Sequence, residues 1–159
     1  MKKSGPDSKD ALGAAMRLLG VRQRSVFELR GRLIEKGFGA EAADAAIEKL
    51  LAAGYLDDAA FARALAASRA ANKAWGPARI ARDLSMRGIA KEIVKEAVSS
   101  ACPEEQELAE AAFERWKKRN KGRTGREEMK KAFRHLSARG FSPSVIWKVL
   151  GRPVEDGQD

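Results

Sequence analysis

Few residues of this chain combine the types and spacing that catalysis needs. Asp57 and Asp58 are adjacent carboxylates, but no histidine or cysteine lies near them in sequence, so helix capping explains them better than acid–base or metal chemistry. His135 is the only histidine, which argues against His-centred metal sites and catalytic triads. Cys102 stands at a predicted helix start, where a thiolate would be favoured, although a plain linker position is the simpler interpretation. The sequence predicts no active site, metal or cofactor, since residues 122–125 also lack the ending of a phosphate loop.

Positively charged side chains are the stronger candidates, because they could bind a polyanion or an acidic protein surface. The 159 residues include 31 Lys and Arg against 22 Asp and Glu, a formal net charge of +9, and each third of the chain has an excess of +3. Between Arg115 and Arg139, eleven Lys and Arg accompany only Glu127 and Glu128. This balance favours acidic partners, nucleic acid first, although a charge that serves only solubility is the alternative.

The basic residues avoid the leucine stripe of their predicted helices and recur in each part of the chain. A solvated helix face is the usual meaning of such charge. Because acids are few in these helices, we instead expect partner- or DNA-binding faces. The predicted contact set is Arg24, Arg30, Arg32, Lys36, Lys73, Arg79, Arg82, Arg87, Lys117, Lys118, Arg119, Lys121, Arg123, Lys130, Lys131, Arg134 and Arg139.

Strong helix-end signals position these side chains. Asp57 is a predicted N-cap, and Leu56 and Phe61 have the spacing of a hydrophobic staple around it. Ser25 opens a capping box with the glutamate three residues later, and Gly76 precedes a proline that suits the first helical position. The apolar spacing predicts nine helices and no sheet. They cover about 8–19, 25–36, 40–53, 58–72, 77–87, 91–100, 103–119, 124–139 and 143–150.

An internal repeat groups these helices in threes. A leucine stands four residues before a glycine, a cation just before that glycine and an apolar residue just after it, which is the Schellman pattern of a helix end. The pattern occurs at Leu33–Gly37, Leu84–Gly88 and Leu136–Gly140, with glycines 51 and 52 residues apart. Because a unit of this size buries little surface alone, we expect an elongated, curved all-α array of three tandem three-helix repeats. The predicted division is a disordered leader at 1–7, repeats at 8–53, 54–101 and 102–151, and a tail at 152–159.

A recognisable set of residues fills the first two repeats. It comprises Arg24-Ser25, Glu28-Leu29, Lys36-Gly37, Gly54-Tyr55-Leu56-Asp57-Asp58, Phe61-Ala62, Ser68-Arg69, Lys73, Gly76, Arg79-Ile80, Leu84 and Arg87-Gly88-Ile89. On these residues the chain resembles the RecX family of recombinase regulators. The resemblance is specific from about residue 11 to 101, and beyond that it depends mostly on Leu136 and Arg139-Gly140-Phe141.

The resemblance implies a regulator that is not an enzyme. It would bind the recombinase RecA, lie along the groove of the RecA–DNA filament and restrain filament growth, ATP hydrolysis and strand exchange in DNA recombination, repair and the SOS response. A monomer in the cytoplasm is the simplest expectation, because a single cysteine excludes an internal disulfide and no apolar run reaches the length of a membrane span. The alternative is a basic helical protein that binds single- or double-stranded DNA, or RNA, directly through helix-turn-helix-like repeats.

The sequence leaves open the roles of two aromatic residues and predicts a departure from the pattern in the last repeat. Tyr55 could stack on a base, although packing at the join of two repeats is the favoured interpretation. Trp75, just before the cap Gly76, is either an exposed contact residue or part of the packing. The second helix of the last repeat is predicted to start one turn early, at Thr124, and it has Ala132 where the other repeats have Leu or Ile.

Overall fold

The computed structural model describes residues 8–121 and 125–151. Within these ranges the chain forms nine α-helices and no strand, as the apolar spacing predicted. They are α1 (Ser8–Val21), α2 (Val26–Glu35), α3 (Ala40–Ala52), α4 (Asp58–Lys73), α5 (Pro77–Met86), α6 (Lys91–Ala101), α7 (Glu105–Arg119), α8 (Arg126–Ala138) and α9 (Pro143–Leu150). The predicted leader at 1–7 and the predicted tail at 152–159 lie outside the described residues. No helix in the described ranges is long and apolar enough to cross a membrane.

The predicted helix starts are confirmed by their hydrogen bonds. The Oγ of Ser25 accepts the N–H of Glu28 at 3.1 Å, and the N–H of Ser25 donates to the Glu28 carboxylate at 3.2 Å, which completes the capping box of α2. The Asp57 carboxylate accepts the N–H of Ala60 at 3.0 Å and so caps α4. Leu56 and Phe61, the predicted staple residues, are both buried.

The Schellman ends are confirmed in all three repeats. Gly37, Gly88 and Gly140 have φ of 93°, 73° and 90°, a region that side chains with a Cβ rarely adopt. The N–H after each glycine donates to the leucine carbonyl of the pattern: Phe38 to Leu33 at 3.1 Å, Ile89 to Leu84 at 3.2 Å and Phe141 to Leu136 at 3.3 Å. Gly54, which the sequence marked only as a helix stop, ends α3 in the same way.

The start of α8 differs from the predicted capping box. Thr124 lies outside the described residues, and Gly125 occupies the N-cap position of α8. Glu127, the other member of that box, pairs with Lys130 at 2.8 Å. The helix still begins before Glu128, the position equivalent to Ser25 and Gly76 in the repeat register, so the early start is confirmed.

The chain divides into two compact units. The first consists of Met1–Ala64 and Leu84–Val94, and the second of Leu65–Asp83 and Lys95–Asp159. In the first unit, α1, α2 and α3 pack on one another around a core that also takes in Leu56. Its larger buried side chains are Leu29, Leu33, Ile47, Leu50 and Leu56.

The second unit has its own core between α7, α8 and α9. Leu136 and Ile146 are fully buried there, and Ala132 is fully buried where the second helices of the other repeats place Leu29 and Ile80. Trp116 and Ala132 belong to the same buried cluster. The smaller residue therefore keeps its place in the buried stripe.

Candidate partner-binding site

In the first unit, the start of α2 docks on the end of α5. The Ser25 hydroxyl donates to the carbonyl oxygen of Arg87 at 2.6 Å, and the Arg87 guanidinium donates to the Glu28 carboxylate at 2.7 Å. A Cβ at Gly88 would lie 2.4 Å from the Cβ of Phe27, so only glycine fits there. We call this contact the first joint. It uses the hydroxyl and the carboxylate of the capping box for a second purpose, since both also close the start of α2.

The two adjacent carboxylates serve two different helices. Asp57 caps α4, whereas Asp58 accepts the N–H of Val26 at 2.9 Å and closes the start of α2. Both carboxylates are therefore occupied by backbone donors. Across the described part of the chain, no cluster of three or more His, Cys, Asp and Glu could hold a metal ion.

In the second unit, the start of α5 docks on the end of α8. The N–H of Gly76 donates to the carbonyl oxygen of Arg139 at 2.7 Å, and the N–H of Ala78 donates to that of Gly140 at 3.1 Å. A Cβ at Gly76 would lie 2.7 Å from the backbone of Gly140. We call this the second joint. Gly76 and Arg139 occupy the repeat positions of Ser25 and Arg87, so the two joints are equivalent in register.

Arginines hold Trp75 beside the second joint. The guanidinium carbon of Arg79 lies 4.1 Å from the indole centroid and that of Arg69 lies 4.9 Å from it. Arg69 also pairs with Asp83 at 3.0 Å, and Arg79 donates to the carbonyl oxygen of Ala138 at 3.1 Å. Trp75 therefore packs against two arginines and is only partly exposed, which favours packing over a free contact residue.

The predicted packing of Tyr55 is wrong, because its side chain is 64% exposed. Tyr55 follows the αL glycine that ends α3, and its N–H donates to Leu50, so the backbone is held while the ring points outward. Base stacking by Tyr55 stays a prediction. Seven large apolar side chains are exposed in the described ranges, and all of them belong to the first unit: Met16, Val21, Phe27, Ile34, Leu51, Tyr55 and Met86.

Many of the predicted contact cations are paired with carboxylates of the same unit. The pairs are Arg30–Asp44, Arg32–Glu35, Arg87–Glu28, Lys117–Glu114, Lys130–Glu127 and Lys131–Glu128. Most are exposed, and exposed ion pairs contribute little to stability, so a partner's anion can replace the carboxylate at small cost. The Asp44 pKa is lowered by its hydrogen bond from Arg30, and the Glu127 pKa by that from Lys130.

Arg24 is a correction to the predicted contact set. Its residue exposure is only 9%, so it does not lie on an open basic face. Burial, followed by the positive charges of Arg22 and Arg32, lowers the pKa of its guanidinium. Its Nε has no hydrogen-bond partner among the described residues. The sequence placed Arg24 outside a helix, which gave no periodicity from which burial could be read.

The remaining predicted cations form no ion pair with any described residue. They are Lys36, Lys73, Arg79, Arg82, Lys118, Arg119, Lys121, Arg134 and Arg139, while Arg123 lies outside the described residues. Four members of the predicted set, Lys73, Lys118, Arg119 and Arg139, line one cleft of the second unit. Arg115 and His135 line the same cleft and were missing from that set. Helical spacing would have placed Arg115 with Arg119, four residues on.

Cys102 is a buried thiol. Burial, and then the negative charge of Glu105, raises the pKa of its thiol. We therefore expect alkylation of Cys102 by iodoacetamide at pH 7.5 to be roughly tenfold slower than that of an exposed cysteine in a peptide. Mass spectrometry of timed samples measures the rate in the folded protein, and the same protein in denaturant is the control. A folded-state rate equal to the denatured rate would contradict the buried position.

The helical repeats and their joints can be compared with known proteins. Three family models, described as the first, second and third three-helix domains of RecX, match residues 11–50, 57–98 and 104–150, in that order along the chain. The chain belongs to the RecX family. The resemblance read from the sequence is thereby confirmed, and it extends through the third repeat.

Curated relatives cover nearly the whole chain. The "Regulatory protein RecX" of Thermus thermophilus is 36% identical over 149 residues, which is 94% of this chain and 96% of that protein. The protein of the same name from Chlorobium limicola is 31% identical over 153 residues, 94% of this chain and 93% of that one. In Deinococcus radiodurans the identity is 30% over 156 residues, 96% of this chain and 73% of the relative.

Solved RecX structures share the fold of this family member. The crystal structure of RecX from Lactobacillus salivarius matches with a TM-score of 0.79 at 21% identity and covers 91% of this chain and 94% of that one. A second structure, titled "Crystal structure of regulatory protein RecX", matches with a TM-score of 0.78 at 23% identity, over 89% of this chain and 70% of that one. At these identities the likeness concerns the fold alone.

Proposed function

We propose that this RecX family member binds the RecA recombinase and the RecA–DNA filament and inhibits filament growth, ATP hydrolysis and strand exchange. The observation that carries the proposal is the match of all three RecX domain models, in order, with relatives that are named regulatory proteins. The protein acts in the cytoplasm as a monomer and catalyses no reaction itself. The basic helices are its proposed contact faces.

The surface chemistry supports a partner that is both protein and nucleic acid. Exposed apolar side chains such as Phe27 and Ile34, both on α2, suit a protein surface, since aromatic and aliphatic side chains form the centres of interfaces. The cations that lack an ion pair suit phosphates or acidic side chains. A recombinase filament on DNA offers all of these groups.

ATP hydrolysis by RecA on single-stranded DNA, titrated with this protein, tests the proposal. We expect inhibition well below one molecule per recombinase subunit if filament growth or filament ends are affected, and inhibition only near saturation if the groove is occupied. Either result supports recombinase regulation. Unchanged hydrolysis at a several-fold excess of this protein would contradict it.

Arg82 is the cleanest residue for locating the contact face. It is exposed and makes no ion pair with a described residue, whereas Arg79 and Arg87 hold the joints. We expect Arg82→Glu to raise the half-inhibitory concentration about fivefold to tenfold, because it reverses a charge at the interface. Lys148→Glu, an exposed reversal on α9 outside the predicted set, is the matched control and should leave inhibition unchanged. If both variants change the half-inhibitory concentration equally, Arg82 does not belong to the contact face.

Direct binding of DNA or RNA is the second candidate function. The cations of the second unit that have no carboxylate partner favour it. The two functions are distinguished by their dependence on recombinase: a filament regulator needs RecA for tight binding, whereas a DNA- or RNA-binding protein does not. Tight, salt-sensitive binding to bare DNA together with unchanged RecA activity would favour it, since phosphate contacts weaken steeply with salt.

A further inference from the structure

The second unit contains a cleft where three helices end or pass. The last turn of α4 contributes Asn72, Lys73 and the following Ala74, α7 contributes Ala112, Arg115, Lys118 and Arg119, and α8 contributes His135 and Arg139. Its volume is about 440 Å³, which lies in the range of pockets that hold small ligands. His135 and Arg139 are four residues apart, as are Arg115 and Arg119, so helical spacing directs each pair to one face. The imidazole of His135 is seated against Trp116, with 6.5 Å between ring centroids.

The charge of this cleft is of one sign. Five of its nine lining residues are Lys or Arg, and none is Asp or Glu. Lys73, Arg115, Lys118 and Arg119 form no ion pair with any residue in the described ranges. The guanidinium of Arg139 donates to the backbone carbonyl of Lys73, a neutral acceptor that leaves the positive charge uncompensated. By contrast, the cations on the outer face of α8, Lys130 and Lys131, each have a glutamate.

Burial and the neighbouring positive charges shift the pKa values of two groups in the cleft. Burial, followed by the charges of Arg119, Arg79 and Arg115, lowers the pKa of Arg139. Burial, followed by the charges of Arg139 and Arg119, lowers the pKa of His135 and so favours its neutral imidazole. No carboxylate from α4, α7 or α8 lines the cleft to offset these charges. A bound anion would relieve the repulsion and stabilise each cation.

We propose that this cleft is a phosphate-binding pocket, which takes the phosphate of a nucleotide or of a nucleic-acid backbone. Arginine guanidinium groups match phosphate oxygens through pairs of N–H donors, and lysine adds point charge. The guanidinium of Arg139 is held by the Lys73 carbonyl, and the imidazole of His135 lies beside Trp116. This site goes beyond recombinase binding and does not depend on it, since all of its residues belong to the second unit.

The single histidine makes the pocket directly observable. Because His135 is the only histidine, its imidazole protons give one assignable set of NMR signals in the intact protein. Addition of inorganic pyrophosphate or of a single-stranded oligothymidylate should shift these signals and raise the pKa of His135. An anion beside the ring favours its protonated form, whereas the neighbouring cations now disfavour it. Shifts with both probes identify a backbone phosphate as a ligand, and shifts with pyrophosphate alone identify a free nucleotide.

A charge-matched pair of variants tests the binding energy. In Arg115→Gln/Arg119→Gln the pocket loses two cations, whereas Arg126→Gln/Lys148→Gln removes two exposed cations of α8 and α9 that do not line it and lie outside the predicted contact set. We expect the pocket variant to bind the responding probe about tenfold more weakly or worse, because charge-assisted contacts are lost. For the oligothymidylate, the log–log salt slope should also fall by about 1.4. The control variant should stay within about twofold of the parent, and circular dichroism checks that both remain helical.

Two results would contradict the proposal that this cleft binds phosphate. One is the absence of any His135 shift with either probe at millimolar concentration. The other is equal weakening by the pocket variant and its control, which would mean that only net charge matters. Neither result bears on recombinase regulation, because RecA inhibition by the parent protein is measured separately. If the protein fails to inhibit RecA but its His135 signals still shift with the probes, the phosphate-binding proposal is supported and the proposed function is not.

Discussion

Replacement of Gly140 by alanine should destabilise the protein by about 2–5 kcal/mol. Two costs combine at this position. Its φ of 90° disfavours any residue with a Cβ by about 1–2 kcal/mol. The new Cβ would also lie 2.4 Å from the backbone nitrogen of Arg79, in the second joint, and overpacking of this kind typically costs about 1–3 kcal/mol. Urea unfolding followed by circular dichroism measures the change in the free energy of unfolding.

Gly37 supplies the matched control, because it has the same backbone conformation without the joint. Its φ is 93°, and nothing lies within 4 Å of a Cβ built there. Gly37→Ala should therefore cost only the conformational part, about 1–2 kcal/mol. If the two variants lose equal stability, the docking of α5 on the end of α8 is absent in solution. A larger loss for Gly140→Ala supports the joint, and Gly88→Ala should behave in the same way because Phe27 is in its path.

Replacement of Ser25 by alanine should destabilise the protein by about 2–4 kcal/mol. The hydroxyl of this fully buried residue accepts the N–H of Glu28 at 3.1 Å and donates to the carbonyl oxygen of Arg87 at 2.6 Å. Loss of the N-cap costs about 0.5–2 kcal/mol, and the half-buried carbonyl of Arg87, left without its donor, adds about 1–3 kcal/mol at most. Thermal and urea unfolding of the variant give the size of the loss.

Ser142→Ala is the control for that variant. Ser142 holds the N-cap position of α9, but its hydroxyl makes no capping hydrogen bond, and its backbone N–H donates to the Glu105 carboxylate at 2.7 Å. Alanine keeps that N–H, so the loss should stay below about 0.5 kcal/mol. A loss as large as that of Ser25→Ala would mean that a serine at any helix start has this effect, independent of the first joint.

The two joints show how successive repeats contact each other, which the spacing of the repeat in the sequence does not reveal. In each unit, the residue at the start of one repeat's second helix binds the carbonyl before the closing glycine of the next repeat. The first joint uses the hydroxyl of Ser25, and the second uses the backbone N–H of Gly76. Gly37 has open space where Gly88 and Gly140 have a docked helix.

The division of surface chemistry between the two units bears on how the regulator would meet a filament. Exposed apolar side chains belong to the first unit, and the cleft of uncompensated cations belongs to the second. Under the proposed function, apolar contacts to recombinase and phosphate contacts to DNA would thus be made by different parts of the chain. Salt should then weaken the contribution of the second unit more than that of the first.

The helices, their ends and the three-fold register follow from the order of residues along the chain. The capping box at Ser25, the staple around Asp57 and the Schellman ends at the repeat glycines all depend on residues a few positions apart, so local spacing is enough to predict them. The family resemblance can be read from the sequence for the same reason, because most of the residues that carry it lie at these helix ends. Some helix boundaries were misplaced, the start of α8 by about one residue and the start of α7 and the end of α1 by two, as is usual for helix boundaries.

The roles of the polar side chains, by contrast, are set by contacts between distant parts of the chain. Asp58 closes a helix that begins 32 residues earlier, Trp75 packs against two arginines, Arg24 is buried and Tyr55 is exposed. Each of these outcomes depends on which elements meet in space, and helical periodicity carries no such information. The same holds for the cations: whether a basic residue is paired or lines the cleft depends on its neighbours across the fold, because charges interact through distance and not through sequence separation.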